Sequence, residues 1–269
     1  MKNHTKETQN STDFTTRVLG INFYTGTEKE LMQHLVQKRG LILVPSGPGL
    51  ATLDSDPDYR KALIRADIVI VDSGYLALLW KLRTSCSLPR ISGLRLMHAL
   101  LNNPNFRKSG NSAWVMPSEG ESNSNCAYAQ QRGIEIPESH VYVAPVYPSF
   151  GPVIDKELLC RLEKHKPQFV VLTVAGGKQE KLGLYLRDNL SYKPSILCTG
   201  AAIAFLTGNQ TRIPMWADRL YMGWLYRCID KPTIYVPRYW GAIRLIWLVF
   251  KYGKKQPFSS KEGTLHDSH

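Results

Sequence analysis

Short apolar runs alternate with stretches in which apolar residues return every three or four positions. The runs are 41–44, 68–71, 112–116, 140–144, 169–174 and 195–199. Each is short enough, and bounded sharply enough by polar residues, to predict a strand. Between them, 46–65 predicts a turn and then a helix carrying Tyr59, Leu63 and Ile64. Residues 75–82, 94–101, 122–132, 155–165 and 181–190 predict further helices. Short strands between helices imply a Rossmann-like α/β fold, a mostly parallel sheet with helices on both faces. No internal repeat is visible, and the Gly- and Pro-bearing stretch 151–153 does not read as a domain linker.

The pattern fades at both ends. Residues 1–16 and 256–269 are polar and predict disordered tails around one α/β domain, 17–236. The first stretch lacks the apolar core of a signal peptide, and no run reaches the roughly 18 apolar residues of a membrane span. Between domain and tail, residues 237–255 set Trp240, Ile243, Trp247 and Phe250 among Arg238, Arg244, Lys251, Lys254 and Lys255. Aromatic and basic residues around a short apolar helix predict a segment resting on an anionic membrane surface. A buried terminal helix is the other reading of the same residues.

Composition sets the class without deciding the chemistry. A chain of 269 residues with 43% hydrophobic and 21% charged residues is globular and long enough for a substantial core. Five scattered cysteines without a C-x-x-C pair argue against a disulfide framework or zinc site and suit a reducing cytosol. The net charge of +12 is uneven: from Arg212 to the C-terminus ten Lys and Arg face four Asp and Glu. Such a surface suits nucleic acid, an anionic membrane or a diphosphate substrate, and the aromatics beside it favour membrane.

The candidate chemistry starts at Val174-Ala175-Gly176-Gly177-Lys178-Gln179-Glu180-Lys181. Polar groups just past a buried strand lie where open α/β sheets bind ligands. Glycines there allow close backbone approach, and a following helix N-terminus favours an anion. A plain strand-to-helix turn with a solvated Lys-Gln-Glu is the competing reading. The run belongs to a series. Upstream stand Asp56-Pro57-Asp58-Tyr59, then Ala66-Asp67 through Val71-Asp72-Ser73-Gly74, then Pro89-Arg90-Ile91-Ser92-Gly93. Downstream stand Gly200-Ala201-Ala202-Ile203-Ala204 through Gly208, Arg212-Ile213-Pro214, and Trp224-Leu225-Tyr226-Arg227 with Pro232.

In this order and spacing the series resembles the WecG/TagA/CpsF glycosyltransferases, glycosyltransferase family 26, over about residues 18–250. The family pattern runs T-P-N, D-x-E-[YF], A-D-L-x-x-P-D-G, E-R-x-x-G, G-x-P-K-Q-E, G-G-x-F-D-x-x-A-G, R-A-P and G-L-E-W-x-Y-R-L-x-x-E-P. The resemblance implies the fold termed GT-E. It implies an inverting, metal-independent hexosyl or N-acetylhexosaminyl transfer from a nucleotide-diphosphate sugar, such as a UDP-sugar of the N-acetylmannosamine type. The implied acceptor is a sugar on a lipid diphosphate in bacterial surface-polysaccharide synthesis. The implied place is the cytoplasmic side of the membrane, held peripherally, with no cofactor and no nucleic-acid partner.

Such a transfer needs a base for the acceptor hydroxyl and donors for the departing diphosphate. Asp72, after four apolar residues, sits at a strand's carboxyl end and matches the family's proposed base; a cap for the helix from Tyr75 is its other reading. Arg90 matches the Arg of E-R-x-x-G and can fork onto phosphate, though a surface Arg is possible there. Lys178, Gln179 and Glu180 match K-Q-E. The Gln amide suits a sugar or base edge, whereas Glu180 could serve only the next helix's first turn. Arg227 and Arg238 match basic positions for which the resemblance implies diphosphate contacts. Ser46 replaces the Asn of T-P-N and is expected to touch substrate.

The chain also departs from the pattern. Val44 replaces the Thr of T-P-N, Ala204 the Asp of G-G-x-F-D, Gly223 the Glu of G-L-E-W, Ser73 the Gly of P-D-G, and Gly177 the Pro of P-K-Q-E. These losses fit a shifted donor or acceptor in a divergent transferase, or an inactive scaffold in polysaccharide assembly. A dinucleotide-binding oxidoreductase is disfavoured because Ser46-Gly47-Pro48-Gly49 fails the G-x-G-x-x-G pattern. A basic nucleic-acid-binding protein remains as an alternative. Asp54-Ser55-Asp56 lies at a helix start and reads as capping rather than a metal site, and His140 and His165 read as lone residues.

Overall fold

The computed structural model describes residues 14–208, 223–230 and 232–257. The motif Arg212-Ile213-Pro214 and most of both expected tails lie outside the described residues. The strands are β1 (Thr15–Val18), β2 (Ile21–Tyr24), β3 (Gly40–Leu43), β4 (Ile68–Ile70), β5 (Ser112–Met116), β6 (Val141–Val143), β7 (Phe169–Leu172) and β8 (Ser195–Cys198). They form one sheet in the order β1-β2-β4-β3-β8-β7-β5-β6. Only the β1–β2 pairing is antiparallel.

The chain lays down β3, steps outward to β4, crosses to β5 on the far side, and works back through β7 to β8 beside β3. Strands β4, β3, β8 and β7 are therefore consecutive, and the loops leaving their carboxyl ends open at one edge. The helices between strands are α1 (Glu28–Gln37), α2 (Gly47–Leu50), α3 (Pro57–Arg65), α4 (Gly74–Thr84), α5 (Gly93–Asn102), α6 (Glu119–Gln131), α7 (Lys156–His165) and α8 (Lys178–Asn189). A short α9 (Ala204–Thr207) follows β8.

Alternation along the strands builds two cores. Leu41, Leu43, Val69, Val170, Leu172, Ile196 and Cys198 face one side. Ile42, Ile68, Ile70, Trp114, Val171 and Leu197 face the other, where Leu31, Leu35, Leu96 and Leu100 of α1 and α5 cover them. Burial on both faces is what parallel strands require, and it is why these strands read as unbroken apolar runs. Side-chain caps start the helices: Asp56 for α3, Ser73 for α4, Ser92 for α5 and Asp155 for α7 each accept a backbone N–H three residues on.

Among the elements without a counterpart in the sequence reading are β1, β2, α1 and α9. β1 begins at Thr15, two residues before the expected start of the domain. Helix α8 begins at Lys178 rather than 181, so Lys178, Gln179 and Glu180 form its first turn.

A helix of eight residues (Gly223–Asp230) precedes the C-terminal helix (Pro232–Tyr252), which carries Pro237 in its interior. Ala242, Leu245, Leu248 and Val249 of that helix are buried, while Val236, Trp240, Ile243, Trp247 and Phe250 are exposed. The exposed set falls on spacings of four and three and forms a single stripe opposite the buried one. Beyond the helix, Leu19 N–H donates to Gly253 O and Gly20 N–H to Lys254 O, tying the chain end to the β1–β2 turn. Among the described residues no helix is long and apolar enough to cross a membrane.

Candidate active site

Asp72 leaves β4 at its carboxyl end. Ser73 caps α4, its Oγ accepting from the Leu76 N–H at 3.2 Å, so the cap is the Ser and not the Asp. The Asp72 carboxylate turns instead to the first turn of α5, where its Oδ1 accepts the Gly93 N–H at 2.8 Å. The Arg90 Nε donates to the Asp72 carbonyl at 2.6 Å, which tethers the guanidinium beside the carboxylate. Gly93 leaves this approach unhindered: a Cβ there would lie 3.2 Å from Val44 Cγ1, close enough to push that methyl aside, and 3.7 Å from Asp72 Oδ1, an ordinary contact. The Gly of Pro89-Arg90-Ile91-Ser92-Gly93 thus has a contact reason to be Gly.

On the next strand, Ser46 follows β3 and caps α2, its Oγ accepting from the Gly49 N–H at 3.3 Å. The same Oγ lies 4.0 Å from where a Cβ on Gly176 would be, so the turn after β7 faces the turn after β3. Gly177 adopts φ +84°, a conformation that favours glycine, and nothing crowds its open side. Its N–H donates to Glu180 Oε2 at 2.6 Å. Glu180 Oε1 accepts from Gln179 Nε2 at 3.2 Å, and Gln179 Oε1 accepts the Gly200 N–H at 2.8 Å. Gln179 therefore bridges α8 and the turn after β8 with a defined amide orientation.

Glu180 is 1% exposed. Burial pushes its carboxyl up to about 7, against the pull of its three donors (its own N–H, Gln179 and the Gly177 N–H) and of Lys181. The Tyr59 hydroxyl is buried close by without a hydrogen-bond partner among the described residues, and burial followed by the charges of Glu180 and Asp56 raises it well above the usual phenol range. Lys181, also buried, donates to Asp56 Oδ2 at 3.1 Å and to the Ser149 carbonyl at 3.0 Å.

The structure thus gathers Ser46, Asp72, Arg90, Gln179 and Glu180 at one edge of the sheet, with Lys178 half-buried in the first turn of α8. Arg227 and Arg238 lie on the last two helices, and their side chains fall outside the described residues. Of the Asp54-Ser55-Asp56 run, Asp56 caps α3 and pairs with Lys181, and Asp54 pairs with Arg244 at 2.6 Å. Among the described residues no three His, Cys, Asp or Glu side chains converge as a metal site. His140 and His165, read as lone residues, stand with ring centroids 5.1 Å apart, and burial lowers the His140 ring below the usual imidazole range. The described cysteines are free, and Cys198 is buried beneath Gln179, whose carbonyl accepts its Sγ–H at 3.2 Å.

Sequence reasoning missed the Gly93 N–H as the group that holds Asp72, and Thr199 at the end of β8. The Ser92-Gly93 pair carried a signal for the first, a Ser cap at the start of the helical pattern from Leu94. Thr199 carried none, because a Thr closing an apolar run is ordinary.

An open, mostly parallel α/β sheet with a carboxylate, a tethered guanidinium and a Gly-rich turn at the carboxyl ends of its central strands is a Rossmann-like α/β fold with these groups at the edge where such sheets bind ligands. The sequence model of the glycosyl transferase WecG/TagA/CpsF family matches residues 16–258. The chain belongs to that family. No curated protein matches it. Membership assigns it glycosyltransferase chemistry in polysaccharide biosynthesis, with a nucleotide-sugar donor and a lipid-linked acceptor as the general class of substrates.

Proposed function

We propose that the chain is an inverting, metal-independent transferase that moves a hexose or N-acetylhexosamine from a nucleotide diphosphate to a lipid-diphosphate-linked sugar. The observation that carries this reading is the Asp72 carboxylate, held on the Gly93 N–H at the sheet edge with Arg90 tethered to the same residue. Asp72 takes the proton of the acceptor hydroxyl as that oxygen attacks the anomeric carbon. The bond to the diphosphate oxygen breaks on the opposite side, which inverts the centre. Arg90 and the C-terminal basic residues, Arg227 and Arg238 among them, balance the charge on the leaving diphosphate. Gln179 and Lys178 hold the donor. Both carboxylates of the Asp54–Asp56 run already serve cations of the protein, which favours stabilisation of the leaving group without a divalent metal.

Transfer takes place at the bilayer surface, where the acceptor resides. The exposed stripe Val236, Trp240, Ile243, Trp247 and Phe250, flanked by Arg244 and Lys251, supports a peripheral attachment on an anionic leaflet. The test is a screen of UDP-sugars and other nucleotide sugars with lipid-diphosphate-sugar acceptors, with and without EDTA. Asp72→Asn keeps the shape but cannot take the proton, so turnover should fall about 100- to 10,000-fold while the melting temperature holds. Undiminished turnover in the variant would remove Asp72 from the chemistry, and turnover that needs added manganese or magnesium would overturn metal independence.

A further inference from the structure

Strands β4, β3 and β8 stand side by side, and Leu43 pairs with both Val69 and Cys198. Continued one residue past Leu43 and Cys198, that register brings Val44 beside Thr199, which opens the turn after β8, while Asp72 follows β4 on the other side of Val44. Strand alternation, carried that one residue on, turns Val44 and Thr199 toward the same face. Leu43 and Cys198 share one core, while Val44 joins Ile42 and Leu197 in the other. Val44 and the Asp72 carboxylate both close on Gly93. A hydroxyl and a carboxylate thus flank an aliphatic side chain across two strand spacings, about 10 Å.

The hydroxyl is the anomaly. Thr199 is 5% exposed, and its Oγ1 is enclosed without a hydrogen-bond partner among the described residues. An unmade hydrogen bond at a buried hydroxyl is unfavourable, and a Val would fill nearly the same volume without that cost. Local structure gives no reason for Thr. The Thr199 N–H donates to Leu172 O, and its carbonyl accepts the Ala202 N–H. Thr173, which follows β7 as Thr199 follows β8, shows the satisfied alternative: its hydroxyl donates to the Val115 carbonyl at 3.0 Å. Val44, beside Thr199, stands where the family pattern reads Thr. The hydroxyl missing from the end of β3 is present one strand over.

We propose that Thr199 is the specificity-determining contact for the donor sugar. Its hydroxyl bonds a ring hydroxyl of a pyranose that lies with its C–H face on Val44 and its anomeric carbon toward Asp72. A 120° rotation about χ1 carries the Thr199 hydroxyl into the position the methyl now holds, and that staggered rotamer is the one in which it meets that partner. The assignment rests on the transferase reading above and adds to it which part of the donor is read, and by which residue.

The test uses the full chain, Thr199→Val, and the double variant Val44→Thr/Thr199→Val. Each is assayed against a panel of UDP-hexoses with epimeric and deoxy members, with UDP alone as a binding probe. Thr199→Val should raise the KM for the preferred donor about 10-fold or more, the loss of one good hydrogen bond. It should leave UDP affinity unchanged, erase the preference for the donor over its deoxy analogue, and hold or raise the melting temperature. The double variant, which returns a hydroxyl beside the same face, should recover part of the discrimination. An unchanged KM for every donor overturns the assignment, as does an equal loss of UDP affinity, which would place the hydroxyl on the diphosphate. A lowered melting temperature with unchanged kinetics would make it a structural hydroxyl. Failure of the transferase reading itself is a different result, absence of turnover by the unaltered chain with every donor.

Discussion

Asp72 and Ser73 show how neighbouring residues divide two roles that the sequence leaves open for one. Ser73 supplies the cap of α4, and the Asp72 carboxylate serves the first turn of α5 instead. The location of Asp72 was legible, since a polar residue after a four-residue apolar run marks a strand end. Its anchor was not, because Gly93 is twenty-one positions away and the contact forms only when α5 packs under the sheet edge. Glu180 was harder still. In a Lys-Gln-Glu-Lys run it reads as solvated, yet the packing of α8 against α3 and β8 buries it and pushes its carboxyl up to about 7. In the unfolded chain a Glu titrates near 4.3. Between the two values the folded state binds the extra proton, so this residue's contribution to stability is full below about pH 4.3 and is lost as the pH rises through 7. The lowered His34, His98 and His140 act with the opposite sign, gaining stability as the pH rises toward their unfolded value. Melting temperatures of the unaltered chain and of Glu180→Gln, compared between pH 4.5 and 8, isolate the Glu term. The variant should gain on the unaltered chain as the pH rises, and parallel curves would mean that Glu180 is ionised throughout.

At the scale of elements, the C-terminal helix buries one face and exposes the other, where the sequence presents an interfacial segment and a buried terminal helix as alternatives. Its Ala242, Leu245, Leu248 and Val249 belong to the core, and its opposite stripe is exposed, with Trp240 at 73%. A truncation that removes the helix would therefore strip the core as well as the stripe, and point substitutions are the discriminating experiment. Leu245→Ala should destabilise the fold by about 2–5 kcal/mol in a urea titration, as deletion of a fully buried Leu side chain does. Trp247→Glu combined with Phe250→Glu should leave the urea midpoint within error and abolish sedimentation with anionic liposomes. Lys251, whose Nζ sits 4.3 Å from the Trp247 ring centroid, adds about 1 kcal/mol of attraction near an anionic surface. Persistent liposome binding by the double Glu variant would move the attachment elsewhere. The helix was legible as an amphipathic basic segment, though its start at Pro232 was not, because Pro237 looks like a boundary and is an interior residue. The α/β alternation was legible because strands buried on both faces are continuous apolar runs. The β1–β2 pair was not, because Thr15 and Thr16 read as the end of a polar tail and leave β2 without a visible partner. Helix α1 carried a signal that could have found it, the Thr27…Glu30 capping box, in which both reciprocal bonds are made.

Across the whole molecule, the sheet is made of an early part, β1 to β4, and a later part, β5 to β8, that meet where β3 pairs with β8. The proposed site straddles that seam, with Asp72 and Ser46 on the early side and Gln179, Glu180 and Thr199 on the later side. Its geometry therefore depends on how firmly the two parts are held together. Over one face of the seam α3 packs against α8, and the contact is fastened at both ends. At the solvent end Arg65 pairs with Asp188 at 2.9 Å, about half exposed and worth little. At the site end Lys181 pairs with Asp56 and reaches the Ser149 carbonyl, with the Lys side chain 2% exposed. Truncating one partner of a buried pair leaves the other charge without compensation, which costs about 3–5 kcal/mol. Asp56 would keep only the Tyr59 N–H that it caps. Lys181→Ala should therefore lower the unfolding free energy by that amount, whereas Arg65→Ala should change it by less than about 1 kcal/mol. Lys181→Met, which fills the volume, should recover part of the loss, because packing replaces some of what the pair supplied. Activity should follow a different order. In conditions where both variants are folded, Lys181→Ala should reduce turnover and Arg65→Ala should not, since only the former loosens the turn that carries Gln179 and Glu180 beside Gly200. Equal urea midpoints for Lys181→Ala and Arg65→Ala would show that the seam is held by apolar packing alone, with the ion pair contributing register rather than stability.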